Sequence, residues 1–176
     1  GFYTNQIKRV LPKCNIFGFD LSKYAVDEAS KAHNGVFYAV CSVFHMPLSN
    51  TCADIVLSVF APFDTKEVCR VLQKDGWFIK VGPGPRHLYG LKEHLYDNVY
   101  ENKIEDNRIL NMELVDEKDL SYEITIDDQK DIWALFQMTP YFWKTPKKGS
   151  EHLKTLSSLT TDVEFHIEIY RKKACE

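Results

Sequence analysis

Short apolar runs alternate with segments whose apolar residues recur every three or four positions. Asn15 to Asp20 reads NIFGFD, a β-prone run of Ile16, Phe17 and Phe19 that stops on an acid. Gly18 in that run is expected to let another backbone approach. Ser22 follows as an N-cap, and Tyr24, Ala25, Ala29 and Ala32 fall at helical spacing, so the pattern predicts a helix over Ser22 to His33 closed by Asn34-Gly35. Ahead of this pair, Gly1 to Thr4 is a Gly-aromatic scrap and Asn5 to Leu11 a helix ended by Pro12. Val36 to Ser42 is a second strand that leads into the loop FHMPLSN. Ala53 to Phe60, ADIVLSVF, is almost continuously apolar and suits a strand buried on both faces. A short amphipathic helix over Thr65 to Leu72 and a turn at Lys74-Asp75-Gly76 bring the chain into a strand over Trp77 to Val81.

Strand, helix, strand, loop, strand, helix, strand with short connections describes an α/β fold with a parallel, Rossmann-like sheet. In such sheets ligands lie at the C-terminal strand ends. Those ends are Asp20-Leu21, Ser42-Val43-Phe44, Phe60-Ala61-Pro62 and Gly82 to Pro85. A carboxylate at the Asp20 position either helps to cap its helix or accepts bonds from the two hydroxyls of a ribose. Beyond Pro85 the pattern changes. Arg86 to Asn98 reads as a helix, and Ile109 to Ile126 as two strand pieces joined through Glu117-Lys118-Asp119. Asp127 to Met138 is a helix with Ile132, Leu135, Phe136 and Met138 on one face. From Asp162 to Lys172 apolar Val163, Phe165, Ile167 and Ile169 alternate with Glu164, His166, Glu168 and Tyr170, which predicts an antiparallel terminal strand with one solvated face.

The 176 residues are 44% hydrophobic, enough for one globular domain with a real core. No apolar run is long enough for a membrane span, and GFYTNQIKRV lacks the apolar centre of a signal peptide, so a cytoplasmic protein without a membrane partner is expected. The five cysteines contain no CxxC pair, which points to a reducing compartment and to no metal site in this chain. Charge is uneven: Glu93 to Asp131 holds thirteen acidic and four basic residues, so this insert carries −9 and the remainder +6. Lys144, Lys147, Lys148 and Arg171 to Lys173 are basic clusters that either touch phosphate or form ordinary solvated surface.

The acid ending the Asp20 strand, the MPLSN loop and the DGWFIKVGP segment resemble a class I S-adenosylmethionine-dependent methyltransferase. More specific are FAPF, KVGPGPRHLYGLKEHLYDNVYEN, LFQMTPYFW and the closing TDVEFHIEIYRK, which resemble the 23S ribosomal RNA guanine-N1 methyltransferases, a family that includes macrolide-resistance enzymes. The resemblance covers essentially the whole chain. It implies a sheet that is mostly parallel with an antiparallel C-terminal strand, S-adenosylmethionine as cofactor, and ribosomal RNA as partner. Gly1 and Phe2 would approach the amino-acid end of the cofactor, Asp20 and Leu21 its ribose, Ser42 and Val43 its adenine, and Phe60, Ala61 and Pro62 its methyl group. His87 in GPRHL matches a position that contacts the cofactor. Asp64, Glu67 and His87 are the candidates for a base to take the guanine imino proton. Tyr141, Phe142 and Trp143 either stack on an exposed base or pack in the core, and Lys147 and Lys148 would meet RNA phosphate.

The departures are equally specific. The family begins with a zinc-binding module, a first strand and a glycine-rich loop ending in a GxGYYT-like string, and Gly1-Phe2-Tyr3-Thr4 looks like the end of that loop. Residues 1–176 therefore read as a fragment of the catalytic domain with the first strand missing, and zinc is expected only in the missing module. That strand would lie between the strands ending at Asp20 and Phe60, so both are expected to have open edges, to be filled by upstream residues or by a second copy of the chain. Ser42 stands where many methyltransferases have an acid for the adenine amino group. A small-molecule methyltransferase and a non-catalytic binding protein on the same fold remain as alternatives.

Overall fold

Phe17 and Phe37, in two short runs that share no sequence motif, stack face to face with ring centroids 5.3 Å apart, because their strands pair in parallel. The computed structural model describes residues 1–32, 34–104, 109–145 and 147–173, with Lys148 described by its backbone alone; His33, the predicted end of the second helix, lies outside the described residues. Two compact units emerge. The first holds Gly1–Val56, Pro62–Trp77 and the chain end from Lys172; the second holds Leu57–Ala61 and Phe78–Arg171.

In the first unit, α1 (Phe2–Val10) precedes β1 (Phe17–Asp20), α2 (Lys23–Ser30) and β2 (Phe37–Val40). Helix α2 packs on both strands, which run parallel from Phe17↔Phe37 to Asp20↔Val40. Gly18 makes room for a side chain and not for a backbone: a Cβ there would lie 2.5 Å from Cε1 of Tyr38. The Tyr38 hydroxyl donates to Asn5 Oδ1 at 2.6 Å, and Asn34 Nδ2 donates to the same oxygen at 2.8 Å. The Gly1 to Thr4 scrap is already helical from Phe2. Helix α3 (Thr65–Val71) is capped by Asp64, whose carboxylate accepts from Glu67 N at 2.8 Å. Buried Glu67 accepts from Met46 N at 2.6 Å and from Arg70 at 2.7 Å through both carboxylate oxygens. Arg70 also donates to Leu48 O, Met46 O and Asn50 Oδ1, so one ion pair fastens the whole MPLSN loop to α3.

The larger sheet has the order β3 (Ala53–Val59), β4 (Leu72–Pro83), β6 (Leu159–Lys172), β5 (Met112–Ile126). Strands β3 and β4 run in the same sense, with Cys52 N donating to Val71 O near one end and Phe60 N to Val81 O at the other. Gly84 N donates to Glu164 O and Lys80 pairs with Glu168, which makes β6 antiparallel to β4. Contacts of Asp119 with His166 and Thr125 with Thr160 make β5 antiparallel to β6. Among the described residues β1 and β3 each pair on one side only.

In the second unit α4 (Tyr89–Leu95), α5 (Gln129–Gln137) and α6 (Lys147–Leu153) enclose a core of Leu88, Leu91, Leu95, Ile132, Phe136, Leu153 and Leu159. No helix among the described residues is long and apolar enough to cross a membrane.

Five local expectations change. Strand β3, expected to be buried on both faces, has Ile55 and Leu57 exposed, since it is the edge strand of its sheet. Lys74-Asp75-Gly76 is no separating turn: β4 starts at Leu72 and absorbs Asp75 at φ 61°. The helix expected over Arg86 to Asn98 is only Tyr89–Leu95, because Arg86 to Leu88 is held in another backbone shape by β6. Region 112–126 is one strand running through Glu117-Lys118-Asp119, since charged side chains on an edge strand stay in water on both faces. The face of β6 expected to be solvated is largely covered. His166, Glu168 and Tyr170 are buried, and Glu168 is satisfied by Lys80 and by the Tyr170 hydroxyl at 2.5 Å.

The Glu67–Arg70 pair sets a test of the first unit. Hydrogen bonds from Arg70 outweigh burial and hold the Glu67 carboxyl at about 2, below its ordinary 4.5. Its stabilising contribution is therefore complete above about 4.5 and lost as pH falls towards 2. Glu67→Gln should cost about 1.5–3 kcal/mol in urea unfolding at neutral pH, with the gap to wild type closing progressively in acid. Equal unfolding midpoints at pH near 7 would show that the pair does not hold the loop.

Candidate functional site

Parallel pairing puts the first set of predicted residues at one strand end. Cys41 N donates to Asp20 O at 3.1 Å, so Asp20-Leu21 and Ser42-Val43 leave β1 and β2 side by side. One Asp20 oxygen accepts from Ser22 N at 2.7 Å, and the Ser22 hydroxyl caps α2 by accepting from Ala25 N at 3.2 Å. The carboxylate thus supports the turn while its other oxygen carries no hydrogen bond from the described residues, and Leu21 beside it is exposed. The Ser42 hydroxyl is turned to its own loop, accepting from Phe44 N at 3.2 Å. Gly1 starts α1 against Ala29, where any Cβ would sit 2.4 Å from the alanine Cβ, and Phe2 is exposed. Pro62 lies in this same unit, as do Asp64 and Glu67. Those two carboxylates are engaged by the α3 N-terminus and by Arg70, and a carboxyl held at about 2 is a poor proton acceptor at neutral pH.

The second unit assembles Phe60, Ala61 and His87. Phe60 takes a left-handed backbone, φ 49°, which costs a residue with a Cβ about 1–3 kcal/mol and persists only where its surroundings impose it. Two bonds impose it here: Phe60 N to Val81 O at 2.9 Å and the Ser58 hydroxyl to Ala61 O at 3.0 Å. The Phe60 ring lies 5.1 Å from the His87 ring and 5.6 Å from Phe165, with His87 to Phe165 at 5.8 Å. His87 Nδ1 accepts from Glu164 N at 3.2 Å, which leaves the imidazole proton on Nε2. Burial pushes the His87 pKa below 6.5. The neutral ring is therefore a hydrogen-bond donor at Nε2, and not a base there.

Residues that the sequence did not single out hold this loop. Glu164 is central: its carbonyl accepts from Gly84 N, its carboxylate from Arg86 N, and its own N–H binds His87. A Cβ on Gly84 would lie 2.5 Å from Glu164 Cγ, so a larger residue there would displace the Glu164 side chain. Leu88 N donates to Asp162 O at 2.7 Å, and Arg86 pairs with Asp162 at 3.2 Å. Asn102 accepts from Lys92 Nζ at 2.7 Å and donates to Gly84 O at 2.9 Å. Lys92 itself is fully buried, and burial lowers its pKa. The alternation of Asp162, Glu164 and His166 was visible, but no spacing says that these residues meet a loop some 78 positions earlier.

The aromatic string divides. Phe142 packs edge-on against Phe136 at 5.4 Å and Trp133 at 6.3 Å, and Tyr141 meets Tyr96 and buried Lys92. Burial raises the Tyr141 hydroxyl to about 12. Trp143, 84% exposed, stands on Phe142 with ring centroids 5.0 Å apart. Lys147 is exposed; the side chain of Lys148 lies outside the described residues.

A family model described as a methyltransferase domain matches residues 1–80. A Bacillus subtilis (strain 168) protein provisionally named 23S rRNA (guanine-N(1)-)-methyltransferase YxjB is 36% identical over 157 residues, covering 85% of this chain and 55% of that protein. A Micromonospora griseorubida protein with the same provisional activity in its name is 28% identical over 167 residues, 92% of this chain and 56% of its own. The chain thus spans about half the length of the curated relatives it matches. In fold it is similar to a crystal structure from Bacillus halodurans C-125, provisionally titled a methyltransferase, with a TM-score of 0.57 and 16% identity over 92% of this chain and 84% of that one. The chain is thus similar to methyltransferases in the domain matched at residues 1–80, in its curated relatives and in its fold.

Proposed function

We propose that this chain is the catalytic part of an enzyme that methylates N1 of a guanine in a hairpin loop of 23S ribosomal RNA. The observation that carries the reading is the similarity to two proteins named for that activity over 85% and 92% of the chain, well past the matched domain at residues 1–80. The strained FAP corner and the GPRHL loop, packed on one another, support it as a preorganised edge for chemistry.

Bound S-adenosylmethionine would supply a sulfonium methyl group, which passes to guanine N1 as the C–S bond breaks and the N1 proton leaves. The side chains at hand would position and shield. Asp20 retains acceptor capacity for ribose hydroxyls, while Ser42 and Val43 at the neighbouring strand end would meet the adenine, Ser42 and Val43 through their backbone. Gly1 and Phe2 would border the amino-acid end. Phe60, Ala61 and Pro62 would keep water from the reacting methyl. His87, a donor at Nε2, would hold a carbonyl or carboxylate oxygen and not take a proton. With Asp64 and Glu67 already engaged, the imino proton leaves to solvent. Trp143 offers a stacking platform on an anchored support, and Lys147, exposed on the adjoining α6, would meet phosphate, the contact that the sequence also predicts for Lys148. Tyr141, held in the core, would contribute by supporting this surface.

The activity is tested on the full-length protein with labelled S-adenosylmethionine and a 23S hairpin, reading N1-methylguanine as a stop in reverse transcription. Methylation of small molecules in place of RNA, or cofactor binding with no transfer at all, would replace this reading.

Asp20→Asn, which keeps the oxygen that accepts from Ser22 N, should weaken S-adenosylmethionine binding at least tenfold while barely moving the melting temperature, since each bond to a charged group is worth about 1.5–3 kcal/mol. Calorimetry that finds unchanged affinity would return Asp20 to a turn-forming role alone.

For RNA, Trp143→Ala and Lys147→Glu should each weaken hairpin binding, by about tenfold for one lost stack, and leave cofactor affinity intact. Binding that is indifferent to both changes and to salt would make this face ordinary surface.

A further inference from the structure

The buried face of β6 carries a group that methyl transfer does not use. His166 is 8% exposed, and its Nδ1 lies 2.7 Å from Asp119 Oδ1. Its Nε2 is buried and meets no hydrogen-bond partner among the described residues. A buried ring nitrogen left unpaired costs about 1–3 kcal/mol unless something meets it. The nearest carboxylate oxygen on that side is Glu117 Oε1 at 3.6 Å, too far for a hydrogen bond. Glu168, two residues along the same face of β6, completes a triangle in which ligand atoms of Glu117, His166 and Glu168 lie within 4.8 Å of one another.

We propose that Glu117, His166 and Glu168 bind one divalent transition-metal ion of the zinc(II) type, tying the edge strand β5 to β6. Three features fit an ion better than a bare histidine. The 3.6 Å separation is close to the ~3.4 Å expected between two ligand atoms each about 2.0–2.1 Å from a tetrahedral ion. Asp119 on Nδ1 fixes the tautomer that turns a lone pair at Nε2 towards the cluster, the usual arrangement behind a metal-bound imidazole. Charge also balances: Glu117, Asp119 and Glu168 against Lys80 leave −2, which a divalent ion cancels. Glu168 is bonded to Lys80 and Tyr170, but each carboxylate oxygen accepts in two directions, so a further donor site remains. There is room as well. The register set by Lys80 with Glu168 and Gly84 with Glu164 places Gly82 opposite His166, and a Cβ on Gly82 would meet nothing within 4 Å. Imidazole with two carboxylates is a donor set for zinc, manganese or cobalt, and three protein ligands leave a position for water.

The test compares the wild-type protein with His166→Gln, Glu117→Gln and His94→Gln, each dialysed against zinc chloride under reducing conditions and checked for folding by circular dichroism. His94 serves as control because its ring faces His152 at 3.3 Å and is the other imidazole pair in reach of an ion. Elemental analysis should find one more equivalent of zinc in the wild type and in His94→Gln than in His166→Gln. Competition with a chromophoric chelator should give at least tenfold weaker binding in Glu117→Gln, an exposed edge position that keeps the test decisive if His166→Gln does not fold. Cobalt(II) added in place of zinc should give a visible spectrum in the His166-dependent fraction without thiolate absorption. Equal zinc in all four proteins, loss in His94→Gln alone, wild-type affinity in Glu117→Gln, or a thiolate band in that fraction would each overturn the site.

Discussion

The grip of β6 on the Gly84–Leu88 loop is the interaction on which the second unit depends. Glu164 takes three roles at once, through its carbonyl, its carboxylate and its N–H, and Asp162 adds the bond to Leu88 N. Each bond is modest, about 0.5–1.5 kcal/mol net, but together they stop the loop from continuing as helix and start α4 only at Tyr89. The left-handed Leu88, φ 56°, is where the chain turns into that helix, and its side chain goes directly into the core with Leu91 and Leu95. Gly90 then packs so close to Thr160 O that a Cβ would lie 2.2 Å from it. Loop, helix and terminal strand are thus one construction, and His87 is aimed by it. A residue carried on so constrained a loop suffers little rotamer entropy on meeting a ligand, which is why positioning can matter here more than acid–base strength.

The same construction explains what could and could not be read from residue order. Period-2 and period-3.6 patterns are local, so β1 to β4, the helices between them and the existence of β6 were visible in runs such as ADIVLSVF and VEFHIEIY. The ends of elements were not, because Arg86 to Leu88 are shaped by partners far along the chain. The alternation in β6 was right and its meaning was wrong. Polar residues opposite an apolar face read as solvated, yet His166, Glu168 and Tyr170 are buried, because β6 lies between β4 and β5 and its polar groups pair across the sheet. Among the candidate residues, strand-end position pointed to Asp20, Ser42 and Phe60 and the family resemblance to His87, whereas Glu164, Asp162 and Asn102, which hold the His87 loop, declare themselves only in three dimensions. A ligand set split between two strands, as in Glu117 with His166, has no spacing signature at all. Counting cysteines looked for a different kind of metal site.

The acidic insert bears on how a polyanion can approach. Strand β5 lies at the edge of its sheet with Glu113, Asp116, Glu117, Asp119 and Glu123 along it, and most of its length is exposed on both faces. A flat apolar edge of 15 residues would invite pairing with another chain, and this density of carboxylates opposes it. The same carboxylates repel phosphate over about 8–10 Å at physiological salt. On the proposed function RNA would therefore be kept from the β5 edge, and Trp143 and Lys147 lie outside the acidic insert, in the part of the sequence that carries +6. A divalent ion at Glu117 would cancel part of that repulsion without changing its sign, because the insert carries −9. Edge protection and the steering of a polyanion thus call for the same charges.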